Sequence, residues 1–315
     1  MSHVIIASQL DEDFNDVIRQ RLALTHPEAE VIGVPAGVPS DLPEHANILL
    51  ARPINVRGYQ APDTPPPGWP YAVQWVHVVS SGVDFYPTWL FNGPPVSTSR
   101  GSAADNLAEF ALAAIFAAAK HLPDIWVHDS QWQFTALKPL KGTTLGILGF
   151  GAIGRSLAHK AQALGIKVVA LRQSQTPFEV DGVEAARDIH DLFARADHLV
   201  LAAPLSESTR NIVNREVLAS AKPGLHLINI ARGGLLDQEA LLEALDNGSI
   251  GLASLDVTEP EPLPDGHPLY THPRVRLSPH TSAISTNSRH EIADTFLSNL
   301  QRYLGGLGLE NLANR

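Results

Sequence analysis

The stretch LGILGFGAIG, residues 145–154, carries a short apolar strand straight into three glycines, Gly149, Gly151 and Gly154. A turn that binds a dinucleotide needs that order. The first glycine permits the tight turn, and the second lets backbone approach a pyrophosphate. The third lets the next helix pack on the strand, with the anion at the helix N-terminus. The flanks agree: 143–148 reads as a strand, and 152–164 sets apolar residues at helical spacing until Gly165 ends the run. A second apolar strand over 166–171 completes a βαβ unit.

The end of that second strand bears on which dinucleotide is bound. An acidic side chain there would accept hydrogen bonds from the ribose hydroxyls of NAD, but the chain has Arg172, Gln173 and Ser174. A guanidinium pairs well with a 2′-phosphate, and Ser174 could donate to the same group. NADP is therefore the expected cofactor; NAD is the alternative if Arg172 is a solvated loop residue.

Outward from this core, alternation of strand and helix extends in both directions. Upstream, strands are expected at 4–7, 31–34, 48–51 and 72–79, with a helix over 11–24. A loop at 61–70 holds five prolines, which no regular element accommodates. A domain crossing is expected near 97–101, ahead of an alanine-rich helix over 102–121. Downstream, strands are expected at 197–203, 225–231, 250–256 and 275–277. Such alternation predicts an α/β protein with doubly wound parallel sheets. At 315 residues, two domains are expected. Ligands bind beyond the carboxyl ends of strands in such sheets. That makes suspects of the polar residues found there: Pro204, Thr209, Arg232, Asp256, Glu261 and His280.

Composition narrows the function classes. The net charge is −10 and no basic tract interleaves with aromatics, so neither nucleic acid nor an anionic membrane is an expected partner. The absence of cysteine excludes disulfides, thiolate metal sites and cysteine nucleophiles. No metal site is expected: His267 and His272 lie in loops without a carboxylate cluster. The N-terminal sequence lacks the basic start and apolar run of a signal peptide, and the most apolar helix candidate, 110–119, is too short to span a bilayer. A cytoplasmic location is expected.

Four motifs in order and spacing, GFGAIGR at 149–155, NIARGGLLD at 229–237, LDVTEPEPLP at 255–264 and SPHTSA at 278–283, resemble the D-2-hydroxyacid dehydrogenases of the glyoxylate and hydroxypyruvate reductase type. The resemblance covers roughly residues 72–283; the first 70 residues match only in pattern. It implies hydride transfer between a nicotinamide and a small 2-oxo acid. It also implies a Rossmann cofactor domain over 101–283 and a flavodoxin-like substrate domain over 1–100, completed by a C-terminal helix of about 284–304 within 284–315. A homodimer formed through the cofactor domain is implied as well, with the helix after Ser102 as one interface candidate or else a buried element.

The residue chemistry suits that reaction. Reducing a ketone needs a proton donor for the developing alkoxide, and His280 suits that role because histidine as a residue type can both give and take a proton near neutral pH. The carboxylate of Glu261 would hydrogen-bond the far ring nitrogen, orient the imidazole and favour its protonated form; Glu259, two residues earlier, is the competing assignment. Arg232 would hold the substrate carboxylate or polarise its carbonyl, a forked task for which lysine is poorly suited. The resemblance further assigns cofactor contacts to Ala152, Ile153, Arg155, Pro204 and Thr209, to Ile230 and Ala231 at the nicotinamide, and to Asp256 at the carboxamide. Where many members have histidine or cysteine two residues before the proline, this chain has Ala202. Ser81 and Gly82 match the loop whose backbone amides receive the substrate carboxylate, with domain closure excluding water. Arg52, Trp89 and Trp132 are candidates to line the substrate pocket. A nucleotide-sensing scaffold without catalysis is the alternative function, disfavoured by the joint presence of Arg232, Glu261 and His280. Glu261 also disfavours a formate enzyme, which carries glutamine there.

Overall fold

The computed structural model describes residues 3–52, 62–84, 86–174 and 176–313. The chain divides into two compact units, Met1–Ser102 with Thr286–Arg315, and Ala103–Ser285.

The first unit contains β1 (Ile5–Ser8), α1 (Glu12–Thr25), β2 (Glu30–Gly33), β3 (Ile48–Ala51), β4 (Trp75–Val78) and β5 (Val96–Thr98). The second contains α2 (Ala104–Lys120), β6 (Thr144–Leu148), α3 (Ala152–Ala163), β7 (Lys167–Leu171), β8 (Val183–Ala185), α4 (Ile189–Arg195) and β9 (His198–Leu201). It continues with α5 (Arg215–Ala219), β10 (Leu225–Asn229), α6 (Gln238–Asp246), β11 (Ile250–Leu255) and β12 (Val275–Leu277). The last helix, α7 (Ser288–Leu304), belongs to the first unit.

Both sheets are parallel throughout. The first runs β2-β1-β3-β4-β5, the flavodoxin-like order. Its strands bury both faces, so adjacent residues enter different cores. Ile6, Ile48, Leu50 and Trp75 pack with Phe14, Ile18, Phe296 and Leu300 of α1 and α7. Ala7, Leu49, Val76 and Val78 pack on the other face with Tyr86, Trp89 and Leu90.

The second sheet runs β12-β11-β10-β9-β6-β7-β8, which is the Rossmann order with one further strand at the edge. The order reverses between β6 and β9, so the crevice falls where Gly149 follows β6 and Ala202 follows β9. Here too the strands alternate: Leu145, Ile147 and Val200 enter the core beneath α2 and α3, and Leu148, Leu199 and Leu201 the core beneath α4, α5 and α6. The alanines of α2 are explained in part by this packing, since Ala108, Ala111, Ile115 and Ala119 form its buried stripe.

The polar stretch 97–101 lies against the boundary between the two units at Ser102. It also holds the last two residues of β5, Ser97 and Thr98, which are buried: Ser97 accepts from Trp75 Nε1 and meets His77, and Thr98 bonds Asn311. Other expectations need correction. The C-terminal helix starts at Ser288, four residues later than expected. Ala61, the first residue of the proline-rich loop, lies outside the described residues. Trp89, expected to line the substrate pocket, is a core residue, 6% exposed, with Nε1 donating to Pro62 O.

Candidate active site

At the crevice, Gly149 N–H donates to Leu171 O at 2.8 Å and the residue sits at φ 97°. A Cβ there would lie 2.5 Å from the Ala203 nitrogen, so only glycine lets the tails of β6 and β9 cross. A Cβ on Gly154 would lie 2.7 Å from Gly149 O, which fixes how closely α3 packs on β6. Above Gly151, the N-cap of α3, an added Cβ would meet nothing within 4 Å, and no side chain caps the helix. An uncapped helix start facing open space fits a pyrophosphate. Ala152 and Arg155 lie on this first turn with Arg155 exposed, while Ile153 packs partly into the core. Across the switch point, Thr209 Oγ1 donates to Pro204 O at 2.8 Å and accepts from Ser206 N–H at 2.7 Å, closing the loop after β9.

Arg172, directly after β7, is folded into its own loop. Its Nη1 donates to both oxygens of Glu179 at 3.0 and 3.1 Å, and its Nη2 faces Thr176 O, Thr176 Oγ1 and Pro177 O. The guanidinium lies 5.0 Å from the Phe178 ring centroid. Ser174 Oγ meets Thr176 Oγ1 at 3.0 Å.

The residues expected to do chemistry converge within the second unit. His280 Nδ1 lies 2.8 Å from Glu261 Oε2, and Glu261 Oε1 accepts the Thr258 N–H at 3.0 Å. Burial pushes the Glu261 carboxyl up, but the His280 and Thr258 hydrogen bonds and the nearby Arg232 charge outweigh it and hold the group below its ordinary range. An ionised Glu261 only accepts, so His280 Nδ1 carries the proton and Nε2 is the outward nitrogen. His280 itself sits at φ 50°, a left-handed conformation uncommon for a residue with a side chain.

That conformation is held by Asp256. The Asp256 carboxylate, 2% exposed, accepts from Ser278 Oγ and Thr281 N–H on Oδ1 and from Ser282 N–H and Oγ on Oδ2. The backbone adds a bond from His280 N–H to Asp256 O at 2.9 Å. Burial raises the Asp256 pKa, but those four donors outweigh it, so the net displacement is downward. With four acceptor positions filled, the carboxylate is engaged by the turn that carries His280, which the expected carboxamide contact did not anticipate.

Arg232 follows β10, with Nη1 donating to Ala231 O at 2.7 Å and its carbonyl accepting from Asn229 Nδ2 at 2.9 Å. Ile230 is 5% exposed in the core beneath α2 and α3, and Ala231 packs partly against the core on the opposite face of the sheet. The two glycines after Arg232 have a spatial cause. A Cβ on Gly233 would lie 2.6 Å from the Glu259 nitrogen and closer still to the Thr258 carbonyl, so the 232–234 and 258–261 segments can approach only because Gly233 has no side chain. Glu259 is spoken for elsewhere: it accepts from Arg210 Nη1 at 2.6 Å, and its backbone pairs twice with Gln238. This separates it from Glu261.

In the first unit, Ser81 and Gly82 follow β4 in a turn held by Ser80 Oγ donating to Gly82 O at 2.5 Å and by Ser99 N–H donating to Ser80 O. Arg52 is paired at 3.8 Å with Asp11, and Trp132 is 73% exposed in the second unit. Sequence reasoning missed the supporting residues Ser278, Ser282, Arg210 and Ser80. Ser278 and Ser282 lie in the SPHTSA motif, but no role had been assigned to them.

The chain is similar to known proteins in both sequence and fold. The family model for the D-isomer specific 2-hydroxyacid dehydrogenase, NAD binding domain, matches residues 112–282. The hydroxypyruvate reductase of Thermotoga maritima is 35% identical over 221 residues, 68% of this chain and 71% of that protein. The (S)-sulfolactate dehydrogenase of Chromohalobacter salexigens is 36% identical over 67% of this chain and 70% of its own. A D-isomer specific 2-hydroxyacid dehydrogenase from Xanthobacter autotrophicus, solved in complex with NADPH and MES, superposes with a TM-score of 0.80 at 26% identity, covering 99% of this chain and 98% of that one.

Proposed function

Because the chain belongs to the D-isomer specific 2-hydroxyacid dehydrogenase family, we propose that it reduces a small 2-oxo acid, such as glyoxylate or hydroxypyruvate, with NADPH, or with NADH, to the D-2-hydroxy acid. The observation that carries the reading is the Glu261–His280 pair at 2.8 Å beside the charge of Arg232. The bound nicotinamide supplies the hydride. His280 donates the proton through Nε2 to the oxygen that becomes the alcohol, and takes it back in the oxidation direction. Glu261 holds the tautomer and stabilises the charged ring. Arg232 grips the substrate carboxylate with its forked donors. Similarity to a hydroxypyruvate reductase supports the small acid; similarity to a sulfolactate dehydrogenase makes a sulfonated acid the competing substrate.

A homodimer is part of this proposal. The irregular stretch after α2 exposes Trp126, Val127, Trp132, Phe134 and Leu137, with Phe134 103% exposed, and apolar surface of this kind suits burial against a second copy. The test of function follows absorbance of NADPH and NADH with glyoxylate, hydroxypyruvate, pyruvate and 3-sulfopyruvate. Turnover fastest with the small acids is expected. Turnover confined to 3-sulfopyruvate would replace the substrate, and none with any acid would remove the reductase reading.

A further inference from the structure

Arg172 has five N–H donors, and four of them are already committed. Both Nη1 contacts fall on the Glu179 carboxylate, and Nη2 is shared among Thr176 Oγ1 and the carbonyls of Thr176 and Pro177. Nε is buried without a partner among the described residues. The loop that holds this arrangement is tied to the glycine turn, since Phe178 contacts Arg172 on one side and stacks edge-on with Phe150, between Gly149 and Gly151, at 4.6 Å on the other. The Arg172 side chain is only 12% exposed, whereas that of Glu179 is 50% exposed. The guanidinium is enclosed by its loop, while the Glu179 carboxylate that pairs with it borders solvent.

We infer that Glu179 is a specificity-determining residue, whose carboxylate competes with the adenosine 2′-phosphate for Arg172 and thereby sets the balance between NADP and NAD. The inference rests on the proposed use of NADP. A carboxylate and a phosphate can each take a guanidinium's forked donors through two oxygens, so one must leave for the other to bind. While Glu179 stays in place, a 2′-phosphate meets a neutralised arginine and an adjacent negative charge. Partial exposure and salt screening make such a pair weak enough to open. The phosphate is then admitted with a reduced advantage over a free ribose. Arg155, on the first turn of α3, also acts electrostatically on Glu179 and adds positive charge on the side from which the nucleotide would approach.

Titration calorimetry on the full chain with adenosine 2′,5′-bisphosphate and with AMP tests this without turnover. Glu179→Gln is expected to tighten the bisphosphate about five- to tenfold and leave AMP unchanged. Arg172→Met is expected to weaken the bisphosphate by at least that factor. Glu179→Asp retains the charge and should bind both like the wild type; it controls for damage to the loop. If Glu179→Gln leaves the bisphosphate unchanged, or moves AMP equally, while Arg172→Met still weakens the bisphosphate, the competition is overturned and the NADP reading stands. If Arg172→Met changes neither ligand, the NADP reading at this arginine fails and the competition with it.

Discussion

Asp256 spends four acceptor positions on one turn, and that turn presents His280 in a left-handed conformation. Replacing the carboxylate by an amide turns one acceptor into a donor aimed at existing donors. Asp256→Asn should therefore lower kcat by about tenfold or more through displacement of His280, with little change in dinucleotide Kd. His280→Ala should lower kcat by roughly 10²–10⁴ with the same Kd retained. Stopped-flow reduction beside fluorescence titration of NADPH separates the two parameters. If Asp256→Asn instead weakens the dinucleotide and spares kcat, the residue acts at the carboxamide, as its place in the motif suggests. Arg232, Glu261 and His280 were legible as types at strand ends, because catalysis in this sheet uses carboxyl ends. The hydroxyls that hold Asp256 were not, because nothing in a serine's own neighbourhood says which carboxylate it will reach.

Among the elements, the glycines matter more than the helices. Gly233 lets two loops from different strands run backbone to backbone, and this brings Arg232 into electrostatic range of Glu261. Gly233→Ala should push those loops apart, with a stability loss of roughly 2 kcal/mol or more and a loss of activity larger than the fraction unfolded explains. Circular dichroism melts and steady-state kinetics on the same preparation would check this; full activity in a folded variant would refute the packing argument. Strand positions were readable because runs such as 145–148 and 48–51 are apolar on both faces, and the first helix start because a carboxylate, Asp11, caps it. The edge strands β5 and β8 carry polar residues or have one exposed side, so hydrophobic runs do not mark them. The short helices α4 and α5 hold too few turns to establish a period.

For the molecule as a whole, three buried histidines link stability to pH. Burial pushes His77 down to about 3 in the first unit. In the second, burial lowers His198 to about 4, and burial with the charge of His198 lowers His226 to about 3. His198 and His226 meet across adjacent strands at 3.3 Å, and His226 Nε2 reaches Ser254 Oγ at 2.9 Å. Folded values below the unfolded value of about 6.5 mean that the unfolded chain binds more protons as pH falls, so stability is full above that value and is lost toward pH 4. Urea unfolding should show a loss on the order of 2 kcal/mol per histidine between pH 7 and pH 5, and His77→Gln should flatten the slope. An unchanged slope would show that His77 does not remain neutral in the folded protein. Velocity sedimentation offers the matching test of assembly: Phe134→Ser with Trp132→Ser should shift a dimer toward monomer, and an unaltered dimer would place the interface elsewhere. From the sequence by itself came the two parallel sheets, the nucleotide turn and the residue types of the proton-transfer pair, because strand burial, glycine geometry and carboxylate–imidazole chemistry are local properties. Which glutamate meets His280, what occupies Asp256, and that Arg172 is already paired with Glu179 were decided by tertiary structure, because each depends on side chains brought together from separate loops, whose hydrogen-bonding choices no local pattern encodes.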